Sequence, residues 1–389
     1  MSKLPLNINN FSFIDKLKIC QFILNNKNRW TQGEQVKQFE KKFAKYAGSK
    51  YAVFVSSGST ANELIAQYVK ETCGSRDLVI LPSTTWQTSC SPWIKNGFKP
   101  HFIDISLEDF SLDKDKLISF VEANSNRIAC IFPTSLIGFS PNMDFYKKLQ
   151  KDYGLKICFD NCENTFGSFD GKNVSSFFTS STSTYFGHQI QSIEGGFIFT
   201  NSEDEYRYYL INRNHGMVRS LDFYALNYSD IQNKLVDPLF DFYSFGSNYR
   251  NTDLNAYIGQ LDFKRVDIYK KSRNKFYSLL KSELDESKFF LPKNRAKSVD
   301  CAFCFPIIFK NNDRDNINIA KQICDDLEIE YRPIISGFLG YQTCYKKYFE
   351  SFLEYENSIK LHRDGFYIGL YHNMNYNLAK SFVKKVNMI

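Results

Sequence analysis

The chain has 389 residues, 43% hydrophobic and 23% charged, which excludes wholesale disorder and predicts two domains. No stretch approaches the roughly 20 apolar residues of a membrane span, and the opening MSKLPLNINN lacks the pattern of a secretory leader; a cytoplasmic protein is expected. Lys+Arg exceeds Asp+Glu by 49 − 42 = 7, and the excess is spread along the chain, so neither nucleic acid nor membrane is an expected partner.

The first clear element is a helix over 34–47, where Val36, Phe39, Phe43 and Tyr46 fall on one face. Short apolar runs at 51–55, 78–81, 102–105, 128–132 and 156–159 then read as strands, separated by helical patterns. That alternation predicts an α/β fold with a parallel sheet and helices on both faces. Ligands in such folds bind beyond the C-terminal strand ends, which directs attention to the residues just after each run.

Ser56-Ser57-Gly58-Ser59-Thr60 follows the first run and leads into a helix. Small residues, hydroxyls and a helix N-terminus suit an oxyanion such as phosphate; a plain N-cap explains the same residues. No Gly-Lys-Ser/Thr follows, so this is not a Walker loop. Trp86, after the second run, could stack on a planar ligand or pack between domains. Asp160, after the fifth, could pair with a cationic ring nitrogen or close an Asx-turn. The segment 183–196, STYFGHQIQSIEGG, places His188 among polar and glycine residues, where it is either structural or catalytic.

Beyond residue 200 the alternation weakens. A long polar and aromatic loop is expected over 220–250, then a basic amphipathic helix over about 252–285. CAFCFPIIF from residue 301 reads as a buried strand, followed by a helix near 315–328 and the run YRPI. This second part is expected to be a smaller α+β domain, giving boundaries of 1–250 and 251–389. The ten cysteines predict free thiols in a cytoplasmic chain. Cys301 and Cys304 have a metal-like spacing but no second pair, so structural cysteine is favoured and no metal is expected.

Together these motifs resemble the large family of pyridoxal-phosphate (PLP) dependent nucleotide-sugar aminotransferases of the DegT type, with the aspartate-aminotransferase-like fold type I, which implies a mixed, mostly parallel sheet. The likeness runs from TQGEQVKQFEKKFAKYAGSKYAVFVSSGSTAN through LPSTTWQT, FIDI, FDNCENTFGSFDGK, the EGG at 194–196 and NYRNTDLNAYIGQL to YRPI. It departs at position 188. The family normally carries its cofactor-binding lysine there, whereas this chain has His188 and no lysine between Lys172 and Lys234. The change resembles the family's 3-dehydratase branch, which acts on GDP-4-keto-6-deoxymannose on the way to colitose. A related CDP-sugar dehydratase also has the histidine but needs a 2Fe–2S cluster with a Cys-x-Cys pair; that pair is missing here, so no iron–sulfur cluster is expected.

The resemblance implies PLP or its amine form PMP, held noncovalently. Gly58, Ser59 and Ser183 would hold the phosphate, completed by Asn248 from the other copy of a homodimer. Asp160 would pair with the pyridine nitrogen, Trp86 would stack on the ring, and Glu163 would lie near the 3′-oxygen. His188 would be the acid–base residue for loss of the C3 hydroxyl, with L-glutamate as amino donor and 2-oxoglutarate and ammonia as by-products. His215, Arg219, Arg250 and Arg332 are further candidates for substrate, the arginines for a diphosphate or a carboxylate. The sugar would be a GDP-linked 4-keto-6-deoxy hexose or heptose. Two other readings remain: an aminotransferase-like enzyme of altered chemistry, and a noncatalytic PLP-binding regulator.

Overall fold

Val53 and Val55 pack against Leu64 and Ile65, whereas Ala52 and Phe54 pack against Phe39 and Phe43. Side chains of a strand alternate between faces, so this strand is covered on both sides by helices. The computed structural model describes residues 2–25, 27–293, 295–311 and 314–389. Among them, Tyr51–Val55 (β1), Leu78–Pro82 (β2), Lys99–Ile103 (β3), Ile128–Ile131 (β4), Cys158–Asp160 (β5), Thr179–Ser183 (β6) and Gly196–Thr200 (β7) build the main sheet. Its order is β1-β7-β6-β5-β4-β2-β3, with β4 joined to β5 by the Ile131–Ile157 and Thr134–Asp160 bridges. β7 is antiparallel to both its neighbours; the other pairings are parallel. The fold is the expected mixed, mostly parallel α/β type.

The helix Glu34–Ala47 forms as its periodicity predicts and ends at Gly48, whose φ of 68° needs the left-handed region that glycine tolerates. Three differences from the sequence expectation have local causes. The third strand is displaced towards the N-terminus, because Asp104 turns out of the sheet to accept the Asn357 and Ser358 N–H groups. β6 reads Thr-Ser-Ser-Thr-Ser and has no apolar signal, yet all five residues are buried. Four of its five hydroxyls are satisfied internally, as in the Thr182–Thr165 bond of 2.7 Å, while that of Ser180 has no partner among the described residues. The expected helix over 252–285 is two helices, Asp253–Phe263 and Val266–Glu283. They break at Arg265, whose guanidinium bonds Asp15 and Asp262.

A second sheet is formed by Cys304–Ile308 (β8), Tyr331–Pro333 (β9) and Gly365–Gly369 (β10), antiparallel with β10 in the middle. Helices Val266–Glu283, Arg314–Asp326 and Tyr376–Val386 share its core through Leu280, Ile317 and Phe382. The expected strand from 301 begins only at Cys304, because the Cys301 and Phe303 N–H groups bond instead to Gly138 and Ile137. Residues 220–250 are irregular as expected, with one-turn helices at Asp222–Tyr224 and Pro238–Phe240. Among the described residues no helix is long and apolar enough to cross a membrane.

Candidate active site

A cavity of about 640 Å³ opens beyond the C-terminal ends of the parallel strands. Gly58, Ser59, Trp86, Asp160, Glu163, Ser183, His188 and Arg332 line it. Sequence reasoning placed each of these at a site, and the fold brings them together from four strand ends and the second sheet.

Ser57 caps the helix Gly58–Thr72, accepting from the Thr60 N–H while the Thr60 hydroxyl accepts the Ser57 N–H. This capping box fixes the loop so that the helix start faces the cavity. A Cβ on Gly58 would lie 2.7 Å from Cys162 Sγ and 3.1 Å from Ser183 Cβ. Glycine is therefore required for the close approach of the β1, β5 and β6 ends. Ser59 Oγ bonds Thr88 Oγ1 at 2.8 Å, tying this cradle to the helix Gln87–Lys95. Trp86 sits just before that helix and is 57% exposed, so its indole is free to cover a ligand.

Asp160 ends β5 and is buried. Its carboxylate accepts from Ser89 Oγ at 2.7 Å, Asn62 Nδ2 at 2.8 Å and the Cys162 N–H at 3.0 Å. Three donors satisfy it without neutralising its charge. Glu163 is also buried, and its Oε2 accepts the Ile137 N–H at 2.6 Å. Burial pushes the Glu163 carboxyl up to about 8, with the Asp160 charge adding to the effect. It therefore holds a proton at neutral pH and can donate a hydrogen bond.

His188 lies in the turn after β6, where its N–H donates to the Tyr185 carbonyl. The ring leans on Phe303, with centroids 5.4 Å apart. Burial pulls its pKa down to about 4, against the opposing influence of Asp160 and the Cys162 backbone. The imidazole is thus neutral near pH 7, and its ordinary value near 6.5 does not apply here. Its Nδ1 is buried and has no partner among the described residues. An orphaned acceptor or donor at a cavity wall is a position for a ligand.

Asn248, His215, Arg219 and Arg250 lie elsewhere. Arg219 and Arg250 line a separate cavity of about 320 Å³ with Arg29 and Asn214. Asn248 is exposed, and its Oδ1 accepts from Arg250 Nε at 3.0 Å. His215 has φ of 62° and bonds through its N–H to Ser247. Within one copy of the chain none of the four lines the cavity that holds His188. Arg332 lines that cavity paired with Glu330 at 2.7 Å.

Asn62, Ser89 and Arg273 were missed. Asn62 lies one helical turn after Gly58, a spacing that turns it towards the same strand ends. Ser89 is similarly placed after Trp86. Arg273 gave no signal, since it lies in the basic stretch KKSRNK. Cys301 and Cys304 are both buried, and burial raises both thiols. Among the described residues no group of three or more His, Cys, Asp or Glu side chains could hold a metal ion.

A family model spans residues 15–387 of this sequence. The chain belongs to the DegT/DnrJ/EryC1/StrS aminotransferase family. It is 32% identical over 331 residues to the GDP-4-keto-6-deoxy-D-mannose 3-dehydratase of Yersinia pseudotuberculosis, covering 83% of this chain and 82% of that protein. It is 30% identical over 244 residues to the GDP-perosamine synthase of Caulobacter vibrioides, covering 62% and 60%. The solved structure of the E. coli GDP-4-keto-6-deoxy-D-mannose-3-dehydratase with bound hydrated PLP superposes with a TM-score of 0.87 at 26% identity, over 99% of each chain. Family and fold type I architecture are thus those the motifs implied.

Proposed function

We propose that this chain removes the C3 hydroxyl of a nucleotide-linked 4-keto-6-deoxy sugar, with noncovalently held PLP and with L-glutamate as amino donor. The observation that carries the reading is His188 in the cavity wall, with an Nδ1 that has no partner and a cavity that no lysine lines among the described residues. A lysine would anchor the cofactor and favour amino-sugar release. An imidazole cannot form the imine that a lysine would, but it can move protons.

The residues present fit the cofactor. The Gly58 cradle, Ser59 and Ser183 offer small groups and hydroxyls for a phosphate. Asp160 offers a fixed carboxylate for a pyridinium, Trp86 an exposed ring face, and protonated Glu163 a donor for the 3′-oxygen. When bound, PLP supplies an electron-withdrawing ring that stabilises negative charge at the reacting carbon. Asp160 keeps that ring protonated. His188 Nδ1, neutral at pH 7, would take a proton from the cofactor carbon next to the transferred nitrogen and become a cation near Asp160. It would then give the proton to the departing C3 oxygen, which leaves as water. A water would restore the C4 ketone as the nitrogen from glutamate leaves as ammonia, giving a 3-deoxy-4-keto sugar.

Relatives named for GDP-mannose chemistry support GDP-4-keto-6-deoxymannose as substrate, and a GDP-heptose with the same 4-keto-6-deoxy portion presents the same reacting atoms. A homodimer is part of the reading. Phe240, Phe242, Tyr243 and Phe245 are exposed beside Asn248, a patch too apolar for a free surface. Its burial against a second copy would bring Asn248 to that copy's phosphate site. The amino-sugar outcome of the GDP-perosamine synthases is the second reading. The test is a panel of GDP-, CDP-, UDP- and dTDP-linked 4-keto-6-deoxy sugars with PLP and glutamate. Ammonia and 2-oxoglutarate released together with a deoxy sugar support dehydration; a stable 4-amino sugar without ammonia overturns it.

A further inference from the structure

We propose that Arg273 is the receptor for a carboxylate of the amino donor, an inference that rests on the function proposed above. Arg273 lies on the helix Val266–Glu283, is 4% exposed, and lines the cavity that holds His188. Its Nη1 is occupied by backbone carbonyls of Phe303, at 3.0 Å, and of Leu370 and Ala302. Those bonds lock the guanidinium in place. Nε and Nη2 bond to nothing among the described residues, and no carboxylate forms an ion pair with it there.

A buried guanidinium without a counter-ion is costly and is normally paired. None of the carboxylates that line this cavity pairs with Arg273. Asp160 is taken by Asn62, Ser89 and Cys162, and Glu330 by Arg332. Glu163 carries a proton at neutral pH, and Glu194 lines the cavity without a bond to Arg273 among the described residues. The two open nitrogens of Arg273 are therefore available to an anion brought by a ligand. Two ligand anions compete for this place. A nucleotide diphosphate hangs from C1 of the sugar, across the ring from the reacting C4, and its base needs open space. A donor amino acid carries its carboxylate one carbon from the reacting nitrogen, or a short chain away. Arg273 stands on the wall shared with His188 and Phe303, beside the reacting centre, and a planar fork suits a carboxylate there.

The experiment is Arg273→Gln and Arg273→Lys, with glutamate titrated against cofactor conversion and, separately, keto sugar titrated against enzyme preloaded with PMP. The expected result for Arg273→Gln is a rise of about tenfold or more in the half-saturating glutamate concentration, with the loss falling on this half rather than on the sugar half. Arg273→Lys should recover part of it. Repeating the first half with L-glutamine and L-alanine, which lack the γ-carboxylate, assigns the contact: an equal effect on all donors supports the α-carboxylate, an effect on glutamate alone the γ-carboxylate. Unchanged glutamate saturation, or equal loss in both halves, overturns the proposal. A crystal structure of the unsubstituted protein with PLP and glutamate needs no variant: a carboxylate on Arg273 Nε or Nη2 supports it, and a guanidinium bound only to carbonyls overturns it. Failure of the unsubstituted chain to convert PLP with glutamate at all would instead count against the proposed function.

Discussion

Asn62 Nδ2 donates to Asp160 Oδ2 over 2.8 Å, so the helix that begins at Gly58 also fixes the carboxylate that ends β5. In the proposed function, one rigid element would thereby set the separation between the phosphate and ring ends of the cofactor. Asp160→Asn keeps the size and, with its oxygen turned to Asn62 and Ser89, keeps those two hydrogen bonds while the Cys162 N–H loses its acceptor. The fold should persist while turnover falls by roughly 10²–10³-fold, the range for losing a preorganised charge. Thermal melting and steady-state turnover measure the two effects; wild-type turnover would remove Asp160 from the mechanism.

His188→Asn should still bind cofactor and keto sugar, because the cradle, Asp160 and Trp86 are untouched. Dehydration should drop by roughly 10²–10⁴-fold, as for other positioned acid–base groups. His188→Lys should become trappable by borohydride, since an amine at that wall can attach the cofactor. An Asn variant as fast as wild type would remove His188 from the mechanism.

Glu163 gives a pH signature with a definite sign. Its carboxyl is held near 8 in the folded chain against an ordinary 4.5. Between these values the folded state binds the extra proton, so this group's contribution to stability is present below 4.5 and is lost as pH rises towards 8. The slope is at most about 1.4 kcal/mol per pH unit. Glu163→Gln should flatten that window in urea unfolding measured across pH. It should also remove an alkaline limb of activity near 8, because glutamine keeps a hydrogen-bond donor at all pH values. An alkaline limb identical in the two proteins would contradict the protonated role.

Gly58→Ala should destabilise by about 1–3 kcal/mol and weaken cofactor retention, because the added methyl meets Cys162 Sγ at 2.7 Å. Cys162→Ala removes that sulfur, so the double variant should recover part of the loss. Additive losses in the cycle would show that the contact is not the cause.

Asn248→Ala should lower cofactor affinity without lowering the melting temperature, and sedimentation should find a dimer in both proteins. A monomer that turns over, or unchanged affinity, would count against a shared site.

Much of this molecule was legible in the chain itself. Apolar runs such as 51–55 and the periodic helix at 34–47 declare themselves, because burial on one face repeats along the sequence. The residues that follow such runs, Gly58, Trp86 and Asp160, could be located because parallel sheets expose their C-terminal ends. The absence of a lysine near 188 was likewise written in the sequence. What remained hidden depends on partners distant in the chain. β6 carries only hydroxyl residues, and nothing local says that Asn62 and Thr165 will satisfy them. Arg273 resembles the solvated cations beside it until three carbonyls and a cavity wall enclose it. The protonation of Glu163 and the neutrality of His188 were also decided by the tertiary structure. A side chain's charge is set by how much water and which dipoles the fold leaves around it, and those come from every element that packs there.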